Sequence, residues 1–125
     1  MSRLIVSTIL KTAFLIAALS SPLSVPAHAI LVKSQPAKDG TLTQSPKQID
    51  LWFNEAVKTE YKALAVIDST GNRVDNRDVG QTPTDSANIY ATVPPLVPGS
   101  YLVRYRVVSE DTQIVTGKFQ FSVKP

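Results

Sequence analysis

Period-two alternation recurs along this chain, and no stretch sustains the three-to-four spacing of an amphipathic helix. Ile49, Leu51 and Phe53 alternate with Asp50, Trp52 and Asn54. Tyr101, Val103, Tyr105 and Val107 alternate with Leu102, Arg104, Arg106 and Val108, and Phe119, Phe121 and Val123 with Lys118, Gln120, Ser122 and Lys124. A strand with this period buries one face and wets the other, so each such segment needs a second layer to cover its apolar side.

The remaining segments fit the same scheme. Ile30 to Ser34 reads as a first strand, closed by the turn signals Pro36 and Asp39-Gly40. Gln48 to Glu55 follows, then the more continuously apolar Tyr61 to Asp68, the turn Ser69 to Asn72 and a short segment around Val74. Asn76 to Ser86 is polar and irregular, the composition of a surface loop. Ala87 to Val93 is the next strand, and Pro94-Pro95 and Pro98-Gly99 exclude a central strand between it and Tyr101 to Val108. Gly117 to Val123 closes the chain. Six or seven short strands predict an all-β fold, an antiparallel β-sandwich with Greek-key connections, with an open barrel as the alternative.

The first 27 residues are of another kind. Arg3 and Lys11 precede the apolar run Thr12 to Leu19, and Ser20-Ser21-Pro22 breaks it, the pattern of a secretory signal peptide. Cleavage after Val25-Pro26-Ala27 would leave His28 first, and cleavage after Ala27-His28-Ala29 would discard it and begin at Ile30. The first cut divides the chain into a signal peptide, 1–27, and one domain, 28–125. Its 98 residues would carry 11 basic against 10 acidic side chains, a formal charge of about +1 rather than the +3 of the whole sequence. No basic run with interleaved aromatics suggests nucleic acid. No apolar run in the mature part approaches the roughly 20 residues that span a bilayer. Cysteine is absent, so packing alone must hold the domain, and thiol chemistry is excluded.

Chemistry has few places to reside. His28 is the sole histidine, so a serine nucleophile would have no other imidazole base, and neither a Gly-x-Ser-x-Gly turn nor a phosphate-cradling glycine loop occurs. An enzyme is not expected. A terminal histidine, however, can chelate a metal through its α-amine and imidazole Nδ1, nitrogen donors that favour Cu(II). Equally, His28 can be the end of the signal peptide or an unbound terminal residue.

Four segments follow in order along the chain: His28-Ala29-Ile30-Leu31-Val32-Lys33-Ser34-Gln35-Pro36-Ala37, Leu51-Trp52-Phe53-Asn54-Glu55, Pro98-Gly99-Ser100-Tyr101 and Tyr105 to Gly117. Together they resemble the CopC family of periplasmic copper-resistance proteins: the first is similar to the family's mature start, the second to its Leu-x-Phe-Ser-Glu and the third to its Gly-Thr-Tyr. Tyr105 to Gly117 is similar to Trp-Arg-Val-Val-Ser-x-Asp-x-His-x-x-x-Gly. The resemblance implies a sandwich of about seven strands, immunoglobulin-like or cupredoxin-like, in the periplasm. It further implies a monomer that binds one Cu(II) ion and works with an inner-membrane CopD-like copper transporter. Carried over by motif, the metal residues are His28, Asp111, Gln113 and Glu55, with Gln113 standing where the family has its second histidine.

Each position has a structural use as well. Asp111 can cap a turn, Glu55 can accept from backbone donors or pair with Arg104 or Arg106, and Gln113 can be a surface residue. The lone Met1 leaves no thioether Cu(I) site in the mature chain. Two functions therefore stand: a periplasmic Cu(II)-binding protein that sequesters or delivers the ion, or a CopC-like interaction module that has lost the metal.

Overall fold

The computed structural model describes residues 29–59 and 62–125; the leader, His28, Glu60 and Tyr61 lie outside them. Nine strands follow in order: β1 Leu31–Gln35, β2 Thr41–Leu42, β3 Gln48–Phe53, β4 Val57–Lys58, β5 Leu64–Ile67, β6 Gly80–Thr82, β7 Asp85–Thr92, β8 Gly99–Ser109 and β9 Ile114–Val123. One sheet has the order β1-β3-β7-β6, the other β2-β9-β8-β4, with β5 also pairing β8. Neighbours in each sheet are mostly distant in sequence, the signature of a Greek-key sandwich.

The alternation becomes burial. Ile49, Leu51 and Ile89 from the first sheet and Leu64, Val66, Val103 and Val107 from the second are each 0% exposed. Phe119, Phe121 and Val123 also face inward. Fully burying one such side chain stabilises by about 1.5–3 kcal/mol, which is how a domain without disulfides holds together. Phe53 and Tyr105 meet across the sheets edge to face, their ring centroids 5.5 Å apart.

Three differences from the sequence reading have physical causes. Among the described residues there are nine strands rather than about seven, because β2, β4 and β6 are two or three residues long and show no periodicity of their own. The polar stretch Asn76 to Ser86 is not all loop: β6 pairs antiparallel with β7, which itself starts at Asp85. Finally, the sandwich is not wholly antiparallel, since Thr41 and Leu42 run parallel to Ser122 and Val123.

Between β5 and β6, Asp75 is buried and receives the Val66 N–H at 2.9 Å and the Arg73 Nε–H at 2.8 Å. Burial alone would raise its carboxyl, but the hydrogen bonds from Arg73 and Val66 and the Arg73 charge hold it below the ordinary carboxylate value. The longest strand, β8, pairs with β9 over ten positions and with both β4 and β5 on its other edge, so the turn at its end is held from two sides.

Candidate metal centre

At one end of the sandwich, main-chain pairing draws three segments together. The Asn54 N–H donates to the Ile30 carbonyl at 2.9 Å, and the Ile30 N–H returns to Asn54 Oδ1 at 2.7 Å, prolonging the β1–β3 pairing past its bulge. Ala29, the first described residue, is 2% exposed. Three residues after Asn54, Val57 pairs with Ser109, and Ser109 opens the β8–β9 turn. Glu55 thus lies on the link between the amino-terminal segment and that turn.

Ser109 builds the turn. It is fully buried, its N–H donates to the Gln113 carbonyl at 2.9 Å, and its carbonyl accepts the Thr112 N–H at 2.9 Å. Its hydroxyl donates to Asp111 Oδ1 and lies 3.3 Å from the Gln113 nitrogen, whose N–H it accepts. Thr112 takes a left-handed φ of 66°, which lets the chain reverse within this span. One Asp111 oxygen is therefore held by Ser109 while the side chain as a whole stays exposed.

Of the four residues singled out from sequence, Asp111 and Gln113 share one turn. Glu55 is tied to that turn through β4. His28 lies outside the described residues, one peptide bond before buried Ala29. Glu55 is half-buried, and its Oε1 is sealed from solvent with no hydrogen-bond partner among the described residues, including Arg104 and Arg106. A buried carboxylate oxygen left so costs free energy unless something further completes it. Among the described residues no three of His, Cys, Asp and Glu gather closely enough to hold a metal ion. Two carboxylates and an amide alone would be a hard oxygen set, poorly matched to copper, which prefers nitrogen donors. Sequence reasoning gave no role to Ser109 or to Asn54, the residues that fix this geometry. The signal available was a serine two residues before an aspartate at a strand end, the spacing of a side-chain-locked turn.

Residues 31–124 match the CopC domain family model. The chain belongs to the CopC domain family. Among relatives, this CopC domain is 32% identical over 123 residues to copper resistance protein C of Xanthomonas campestris pv. juglandis, covering 94% of this chain and 96% of that one. It is 32% identical over 99 residues to copper transport protein CutJ of Bacillus subtilis strain 168, covering 78% of this chain but only 18% of CutJ. Among solved structures, CopC from Methylosinus trichosporium OB3b superposes with a TM-score of 0.72 at 33% identity, covering 78% of this chain and 95% of that one. The two-sheet architecture of this CopC domain is thus shared with a solved relative of the same family.

Proposed function

We propose that this CopC domain handles copper: residues 1–27 direct export to the periplasm, and the mature domain, 28–125, binds one Cu(II) ion as cargo. The reading rests on membership of a family whose relatives include copper resistance proteins, and on the unpartnered Glu55 Oε1 between Asn54, which bonds Ile30, and Val57, which pairs with Ser109. In it, the amine and imidazole of His28 supply the nitrogen donors and Asp111 a carboxylate oxygen. Gln113 or water completes the set, and Glu55 places a second negative charge nearby. The amine must lose a proton to bind, from an ordinary pKa of about 7.7–8.0, so affinity rises with pH. An amide oxygen in place of an imidazole makes the hold weaker, which suits a carrier that gives up its ion, in this reading to a CopD-like inner-membrane transporter. The domain acts as a monomeric carrier and not as an enzyme.

Gln113 also favours a second reading, an interaction module without the metal. One experiment separates the two: mass measurement of the exported chain, then Cu(II) titration and electron paramagnetic resonance against a competing chelator. A chain starting at His28 that binds one equivalent with nitrogen couplings, lost in His28→Ala, supports copper handling. A chain starting at Ile30, or His28→Ala with full affinity, overturns it.

A further inference from the structure

We infer that the outer face of the β2-β9-β8-β4 sheet, with β5, is a docking surface for an acidic protein surface. The five strands of this sheet contain no aspartate or glutamate, yet they carry Lys58, Arg104, Arg106 and Lys118. The four strands of the opposite sheet carry one cation, Lys33, and two carboxylates, Asp50 and Asp85. With basic and acidic residues nearly balanced from residue 28 onward, the basic sheet reflects segregation of charge rather than excess.

All four side chains are exposed, and their strand neighbours Val57, Val103, Val107 and Phe119 point into the core, so the four share the outward face. None has a carboxylate at ion-pair distance among the described residues. Arg104 stands directly opposite Lys118, and Arg106 opposite Thr116. Directly opposed side chains on one face have Cβ atoms about 4.5–5.5 Å apart, where like charges destabilise the pairing. A like-charged cross-strand pair held against folding stability, with no carboxylate at ion-pair distance among the described residues, is complementary to an anion supplied by a partner.

The face favours a protein over an anionic bilayer. Among the described residues no aromatic side chain points outward from this sheet to anchor at a lipid interface; Trp52 and Tyr90 lie on the strands of the other sheet. Exposed Glu110 and Asp111 at one end would also meet an anionic plane unfavourably, whereas a folded partner can shape its charges around them. Lys58 pairs with Val108, beside the β8–β9 turn, so a partner seated here lies next to Asp111. The inference does not require copper to be bound.

The test uses the metal-free mature domain and two probes, a short polyglutamate peptide and phosphatidylglycerol vesicles, each at low and physiological salt. Polyglutamate binding is expected to weaken about tenfold with salt, and Arg104→Glu to weaken it by about a further tenfold while Lys47→Glu, the same charge change elsewhere, leaves it within about twofold. Arg104→Glu is also expected to melt higher than the parent, because it turns the repulsive pair with Lys118 into an attractive one. Arg106→Gln, which only neutralises, serves if Arg104→Glu does not fold. Equal losses in Arg104→Glu and Lys47→Glu, absence of salt-sensitive peptide binding, or tighter binding to the vesicles overturns the inference.

Discussion

Ile30 and Asn54 hold each other by two hydrogen bonds, 2.9 Å from the Asn54 N–H to the Ile30 carbonyl and 2.7 Å from the Ile30 N–H to Asn54 Oδ1. The second depends on the side chain and fixes the main chain two residues beyond His28. Asn54→Ala is expected to cost about 1 kcal/mol of stability in urea unfolding, with Asn54→Asp, which can still accept, near the parent. Copper affinity is expected to fall in the alanine variant and not in the aspartate one. Equal affinity in all three would detach the amino-terminal segment from the metal.

Ser109 positions Asp111 without being a candidate ligand. Its hydroxyl is the link between Asp111 Oδ1 and the Gln113 N–H, and it is fully buried. Ser109→Ala leaves the carboxylate free to swing and strands the amide. The expected losses are about 1–2 kcal/mol of stability and about 10–100-fold in Cu(II) affinity. Chelator competition checks the second, and an unchanged constant would show that the turn does not orient the metal.

Gly117 makes room for Tyr105. An added Cβ would overlap the tyrosine hydroxyl oxygen and the ring carbon that bears it, so Gly117→Ala must displace the ring from its contact with Phe53. The expected cost is about 1–3 kcal/mol. In a Tyr105→Leu background the same change should cost much less, a coupling that a double-mutant cycle measures. Additive costs would place the clash elsewhere.

The long strands were legible because their faces have different chemistry: Ile49-Leu51-Phe53 and Phe119-Phe121-Val123 are buried as their alternation implies. Gly80-Gln81-Thr82 was not, because its strand character comes from pairing with β7 and not from any apolar face of its own. The buried polar residues Asp75, Asn88 and Ser109 were invisible for a related reason: each is buried because a specific hydrogen bond awaits it, and hydropathy does not register partners. Of the candidate metal residues, Asp111, Gln113 and Glu55 could be named by motif, but only the register of Val57 against Ser109 shows how Glu55 is tied to the β8–β9 turn.

Asp75 makes stability fall in acid. Its carboxyl is depressed in the folded state despite burial, which by itself would raise it. An unfolded aspartate titrates near about 3.9. A depressed folded value means that the stabilisation is complete above that pH and is lost as pH falls through the folded value below it. Asp68 and Asp78 are lowered as well and act with the same sign. Asp75→Asn is expected to be less stable at neutral pH and to show a shallower decline below about pH 4 in urea midpoints. A decline as steep as the parent's would assign the acid sensitivity to other carboxylates.

Glu55 should act with opposite sign in the metal-free and copper-loaded domain. Without metal, its sealed Oε1 has no partner among the described residues, so a carboxylate there is a burden on the fold. Glu55→Gln keeps the shape and removes the charge. The metal-free variant is expected to gain on the order of 1 kcal/mol and to melt higher than the parent. With Cu(II) present the parent gains stability in proportion to the logarithm of ligand concentration over Kd. The variant has lost a negative charge close to the ion and should gain less, so that the two melting curves approach or cross as copper is added. A metal-free variant that melts lower would mean that the carboxylate already has a partner. An undiminished copper-induced rise would place the ion out of reach of Glu55, and with it the convergence of the three segments on which the copper reading rests.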